Sequence, residues 1–122
     1  MSTVGLIGIG DLGLAIAKNL IARGHEVWGF RRSSMDALVA VGGKAGASPR
    51  DVAERSEVVL TCLPAAQALV DVVSGPEGLA AARKPNLTVF ELSTLPLSAK
   101  ERGARLLKEV GARVVESPAK AQ

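Results

Sequence analysis

The sequence predicts a doubly wound α/β fold, with a mostly parallel sheet in the order 3-2-1-4-5-6. Three observations lead there. Strand-like and helix-like segments alternate from end to end, which favours right-handed crossovers. The first apolar run ends in a glycine-spaced turn that opens a helix. The 122 residues, 48% hydrophobic and 22% charged, suit one compact domain with a sizeable core. Aromatic residues are few (Trp28, Phe30 and Phe90, with no Tyr), so the core must come from Val, Leu, Ile and Ala.

Each element has a local reason. Thr3 to Ile9 is a short apolar run, suited to a strand buried on both faces. Leu12 to Arg23 reads as a helix with Leu12, Ile16 and Leu20 along its apolar stripe and Ala15 beside them, stopped by Gly24. Glu26 to Phe30 is a second strand. Ser33 or Ser34 caps a helix running through Ala40, which Gly42-Gly43 break. Lys44 to Ala47 is a short third strand. Ser48-Pro49-Arg50-Asp51 opens a helix, with Ser48 as cap, Pro49 at the first helical position and Asp51 favoured by the dipole. Glu57 to Leu63 is a fourth strand closed by Pro64, and Ala65 to Val73 is a helix. A turn at Gly75 to Gly78 leads to a short helix near Leu79 to Arg83. Leu87 to Glu91 is a fifth strand. Ser98 and Glu101 form a capping box for a helix with Ala99, Leu106, Leu107 and Val110 on its apolar face and Lys100, Glu101, Arg105, Lys108 and Glu109 on its polar face. Gly111 ends it, and Ala112 to Val115 is the sixth strand.

Composition removes several function classes. The net charge is +3, but no basic run exceeds two residues, and without Tyr there is no stacking platform for single strands, so no nucleic-acid partner is expected. No stretch approaches the ~20 apolar residues of a membrane span, and the first residues read directly into a strand. A cytoplasmic chain without a membrane partner is expected. One Cys (Cys62) and one His (His25) leave neither a disulfide framework nor a metal site, so no metal is predicted. His25 reads as a turn residue. Cys62 reads as a small buried hydrophobe, since nothing nearby activates it.

Gly8-Ile9-Gly10-Asp11-Leu12-Gly13 is a G-x-G-x-x-G between a strand and a helix, with a second strand following at the right distance. In a Rossmann-type unit Gly8 allows the tight turn, Gly10 lets a pyrophosphate approach the backbone, and Gly13 lets helix and strand pack closely, while the helix dipole holds the phosphates. A glycine-rich turn without ligand is the plain alternative. An acid about 20 residues beyond the glycines reads the ribose 2′-hydroxyl in NAD-specific units. Here the end of the second strand reads Phe30-Arg31-Arg32-Ser33. Two guanidiniums and a hydroxyl suit a 2′-phosphate, so NADP(H) is predicted as cofactor, with NADPH preferred over NADH. The alternative is a solvated basic pair.

With both motifs in place, the chain resembles the N-terminal domain of the β-hydroxyacid dehydrogenase family. That family includes the 3-hydroxyisobutyrate, tartronate semialdehyde and 6-phosphogluconate dehydrogenases, the glyoxylate reductases and the related imine reductases. The resemblance covers roughly residues 3–118. Leu12 stands where the family often has Met. Lys18-Asn19-Leu20 and Gly24-His25-Glu26-Val27 fit its first helix and turn, and Arg31-Arg32-Ser33 fits its NADP-type segment. Cys62-Leu63-Pro64 resembles the loop lying against the adenosine half of the cofactor. Glu91-Leu92-Ser93-Thr94 resembles the segment whose Thr94 would meet the nicotinamide ribose, although Ser93 and Thr94 also suit a plain turn.

The resemblance implies a cofactor site of Gly8, Ile9, Gly10, Asp11, Leu12, Gly13, Arg31, Arg32, Ser33, Leu63, Pro64 and Thr94. It breaks after Pro118, where the family has a Ser-Gly-Gly segment and this chain has Ala119-Lys120-Ala121-Gln122. Residues 1–118 are therefore expected to be the dinucleotide-binding domain, and 119–122 a tail at the border of a missing substrate domain. The catalytic Lys of the family lies in that second domain, so no catalytic residue is assigned here, and Lys120 matches a different position. The resemblance implies an NADP-dependent oxidoreductase acting on a small hydroxy acid or its carbonyl form, the isolated chain being inactive. A non-catalytic nucleotide-binding or interaction module and the cofactor domain of an imine reductase are the alternatives. Apolar surface near the last strand would stay uncovered, favouring a homodimer or a subunit that supplies the missing domain.

Overall fold

A computed structural model describes residues 2–8, 10–31, 34–93 and 95–116. Ile9, Arg32, Ser33, Thr94 and the tail from Ser117, with Lys120, lie outside them.

Within the described residues six strands form one parallel sheet, β1 (Thr3–Ile7), β2 (Glu26–Phe30), β3 (Lys44–Ala45), β4 (Val58–Thr61), β5 (Thr88–Glu91) and β6 (Arg113–Glu116). Their spatial order is β3-β2-β1-β4-β5-β6, the predicted one. The connecting helices are α1 (Asp11–Ala22), α2 (Asp36–Ala40), α3 (Pro49–Arg55), α4 (Ala66–Val73) and α5 (Leu97–Glu109), with a 3₁₀ turn at Leu79–Ala82. Side chains alternate across the sheet and build a core on each face. Leu6 and Val27 pack with Ala17 of α1 and Leu38 of α2. Ile7, Val59 and Val89 pack with Val52 of α3, Leu69 and Val73 of α4 and Leu107 of α5.

The Ser48 cap forms as predicted, its hydroxyl accepting the Asp51 amide at 3.0 Å, with Pro49 at the helix start. Elsewhere the structure corrects the reading. On α1 the buried residues are Gly13 and Ala17, whereas Leu12 is 56% exposed and Ala15 exposed. The helix lies so close to the sheet that only small residues fit at the contact, and large apolar residues flank it. The second helix begins at Asp36; Ser34 accepts its amide at 3.1 Å without being the cap. β3 stops at Ala45 because the Ala47 amide turns to the Asp51 carboxylate at 3.0 Å. The fourth strand stops at Thr61, the Leu63 amide going to a side chain.

Helix α5 starts from Pro96, whose carbonyl accepts the Ala99 and Lys100 amides at 3.2 and 3.3 Å. Ser98 thus lies inside the first turn, and the capping box does not form. Its buried stripe is Lys100, Gly103, Ala104 and Leu107. The i, i+3, i+4, i+7 spacing holds, but the stripe is built on small residues and one buried Lys, not on the polar assignment predicted for Lys100.

Candidate functional site

The carboxyl ends of the central strands open into a cleft of about 630 Å³. In a doubly wound sheet this is where the crossovers diverge and leave a crevice, here between β1 and β4. Its floor and walls come from Ile7, Gly8 and Gly10 to Gly13, from Phe30 and Arg31, from Cys62 to Pro64, and from Ala68 and Val72 of α4. The strand ends are locked in register. The Gly8 amide donates to the Phe30 carbonyl at 3.0 Å, Cys62 to Ile7 at 3.0 Å, and Leu92 to Thr61 at 2.8 Å.

The three glycines of the turn differ physically. Gly8 has φ +81°, and a Cβ there would sit 2.4 Å from the Cys62 carbonyl oxygen and 2.8 Å from Leu63 Cδ2. A side chain is excluded by both conformation and contact. Gly13 needs its smallness, since a Cβ would lie 3.2 Å from the Gly8 carbonyl oxygen and 3.6 Å from Leu6. At Gly10 a Cβ would meet nothing within 4 Å, and φ is −97°, open to any residue. The fold gives no reason for glycine at that position. What a side chain would fill there is the space in front of the helix.

That helix end is equipped for an anion. α1 starts at Asp11 with Gly10 as its cap residue and no side chain capping it. The first amides of a helix lack intrahelical partners, and the dipole adds partial positive charge. Asp11 is exposed in the first turn. Arg31 follows β2 directly and lines the cleft; its Nε donates to the Ser34 carbonyl at 2.6 Å.

On the opposite side, Leu63 and Pro64 form the wall. The Leu63 amide donates to the Ser93 hydroxyl at 2.7 Å, and the Ser93 amide donates to Glu91 Oε1 at 2.6 Å. Cys62 is half-buried on the floor; burial, helped by the nearby Glu91 charge, raises its thiol above the ordinary value of 9.0, which makes it a poor nucleophile at neutral pH. His25 accepts the Ser2 amide on Nδ1 at 3.1 Å in the turn before β2, away from the cleft.

The structure thus gathers Gly8, Gly10, Asp11, Leu12, Gly13, Arg31, Leu63 and Pro64 on one cleft. The other predicted site residues, Ile9, Arg32, Ser33 and Thr94, lie outside the described residues. Sequence reasoning missed Ala68 and Val72 of α4 and the tie from Glu91 through Ser93 to Leu63. The four-residue spacing of Ala68 and Val72 behind Pro64 was a usable signal for the first; nothing local marks the second. Among the described residues no group of His, Cys, Asp and Glu could hold a metal, and no helix is long and apolar enough to cross a membrane.

Residues 3–120 match the family described as the NAD binding domain of 6-phosphogluconate dehydrogenase. Among curated relatives, the chain is 34% identical over 121 residues to the NAD-dependent L-serine dehydrogenase of Pseudomonas aeruginosa, covering 97% of this chain and 40% of that protein. It is similar in structure to the Streptomyces aurantiacus imine reductase, with TM-score 0.80, 30% identity, and coverage of 95% of this chain and 42% of the other. Mycobacterium tuberculosis 3-hydroxyisobutyrate dehydrogenase shares the fold, with TM-score 0.87 at 23% identity over 97% of this chain and 40% of its own. The chain spans between about one fifth and two fifths of the length of the curated relatives it matches.

Proposed function

The chain belongs to the family of NAD-binding domains of 6-phosphogluconate dehydrogenase, and from that premise we propose that its cleft holds NADP(H), NADPH in preference to NADH, within a β-hydroxyacid dehydrogenase-like oxidoreductase. The observation that carries the reading is Gly10. A glycine with no structural need for its smallness faces an uncapped helix N-terminus, as a diphosphate cradle requires. On this reading Gly8, Ile9, Gly10, Asp11, Leu12 and Gly13 surround the diphosphate. Arg31, Arg32 and Ser33 take the 2′-phosphate, Leu63 and Pro64 lie along the adenosine half, and Thr94 meets the nicotinamide ribose. Residues 1–118 are the dinucleotide-binding domain, with 119–122 leading toward a substrate domain.

When bound, the nicotinamide supplies hydride chemistry. This chain's residues hold and orient it. The titratable groups among the described cleft residues are Asp11, Arg31 and Cys62. On this reading Arg31 is given to the 2′-phosphate, the Cys62 thiol is raised, and Asp11 stands at the diphosphate end, so the acid or base of the reaction comes from outside these residues. The 122-residue chain is accordingly expected to bind cofactor and to turn over neither hydroxy acid nor imine. A second reading, the cofactor domain of an imine reductase, draws on the 30% identity to the Streptomyces aurantiacus enzyme; assaying the two substrate classes side by side in a protein that carries this chain with its substrate domain separates them.

Cofactor preference has its own test. Arg31→Asp is expected to weaken NADPH by roughly 10- to 100-fold, the scale of a lost charge-assisted contact, while leaving NADH within about threefold. An equal loss for both dinucleotides in calorimetric titration would remove Arg31 from 2′-phosphate recognition.

A further inference from the structure

Glu91 ends β5, is 4% exposed, and has no part in the reading above as ligand or reacting group. Both of its oxygens are nonetheless engaged. Oε1 accepts the Ser93 amide at 2.6 Å, and Oε2 accepts the Thr61 hydroxyl at 3.0 Å. The Ser93 hydroxyl accepts the Leu63 amide at 2.7 Å. The chain of bonds begins at Thr61, passes through the next strand's loop, and returns to the first loop two residues further on. Thr61 is fully buried and Ser93 is 2% exposed, so the tie surfaces only at Leu63, on the cleft wall. Lys100, 1% exposed, lines the same enclosure of about 10 Å³ as Thr61 and Glu91.

Such a network is a costly way to stabilise a core, since apolar residues of similar volume commonly do as well or better. What it supplies is a defined geometry. We propose that Glu91 is a positioning residue for the dinucleotide: through Ser93 it fixes the Leu63 backbone, and so sets the Leu63–Pro64 wall where the cofactor lies, making the loops after β4 and β5 one rigid piece. The proposal rests on the dinucleotide reading of the cleft.

Three variants of the 122-residue chain separate positioning from stability. Ser93→Ala removes the acceptor for the Leu63 amide. Thr61→Val keeps shape and loses the hydroxyl, whereas Thr61→Ser keeps the hydroxyl and loses a methyl. NADPH and NADH are titrated by calorimetry at a temperature where circular dichroism shows every variant folded. Hydrogen exchange of the Leu63 amide is followed without ligand. Ser93→Ala is expected to weaken both dinucleotides by a common factor of about five and to speed Leu63 exchange. Thr61→Val is expected to weaken both by about twofold, with Thr61→Ser binding like the unmodified chain even though it melts earlier. Affinity that follows the methyl instead of the hydroxyl overturns the proposal, as does unchanged affinity in folded Ser93→Ala. If the unmodified chain binds neither dinucleotide, the reading of the cleft fails and takes this proposal with it, an outcome distinct from a bound cofactor that is indifferent to the network.

Discussion

At Gly8, Gly10 and Gly13 one cleft wall is shaped by the side chains those residues lack. Across from it, Cys62 to Pro64 form a loop tied by side-chain hydrogen bonds to the loop after β5. The first wall is local: its residues are consecutive, and its turn is fixed by the positive φ of Gly8 and the closeness of Gly13 to the strand. The second is non-local, joining residues 30 apart in sequence. The two meet where a Cβ on Gly8 would strike the Cys62 carbonyl. On the proposed reading, a dinucleotide between them meets one wall set by backbone geometry and another set by hydrogen bonds.

The meeting point is where the largest effect is expected. Gly8→Ala forces an L-residue into φ +81° and pushes a methyl onto backbone oxygen. A loss of about 2–5 kcal/mol in chemical denaturation is expected from the two costs together. A near-neutral result would mean that the walls are not in contact as described. Gly10→Val is expected to part stability from binding. A Cβ there has nothing within 4 Å beyond its chain neighbours, so unfolding should shift by about 1 kcal/mol or less, while dinucleotide affinity falls at least about tenfold. Loss of stability with intact binding would reverse the role assigned to Gly10.

The smallest effect is expected far from both walls, at the turn between β3 and α3. The Asp51 carboxyl is held below its ordinary 3.8, first by the Ala47 amide and also by Arg55, against a desolvation that pushes the other way. A carboxyl depressed in the folded state adds stability above its unfolded value and loses it as the pH falls through the folded one. Asp51→Asn should therefore be less stable at pH 7, by less than about 1 kcal/mol for so exposed a pair, and the gap should close on acidification below pH 4. Dinucleotide affinity should not move. A gap that widens in acid would contradict the sign.

The contrast between the walls also explains what could be read from the residues alone. The strand order, the glycine turn and the Ser48-Pro49 helix start are local patterns, in which each residue's preference agrees with the fold. The α1 and α5 faces were misread for a shared reason: contact is closest where Gly13, Ala17, Gly103 and Ala104 lie, so a search for large apolar residues finds the flanks of each contact. Lys100 was assigned to solvent because a Lys is rarely buried unless its charge is matched, and Glu91, which shares its enclosure, lies on another element. The Ser98 capping box was displaced because the chain enters α5 at Pro96, behind the buried Leu95, which no local motif reveals. The Glu91–Ser93–Leu63 tie joins the ends of two strands that the predicted order already sets side by side, but which side chains meet there, 30 residues apart, is contained in no window of residues.

The most direct test of the cleft is a pair of calorimetric titrations of the unmodified 122-residue chain, NADPH in one and NADH in the other, at one fixed ionic strength. One site per chain is expected, filled by both dinucleotides, with NADPH bound at least about tenfold more tightly, as a 2′-phosphate contact to Arg31 requires. Absence of heat and of competition with either dinucleotide, or NADH bound as tightly as NADPH, would contradict the account.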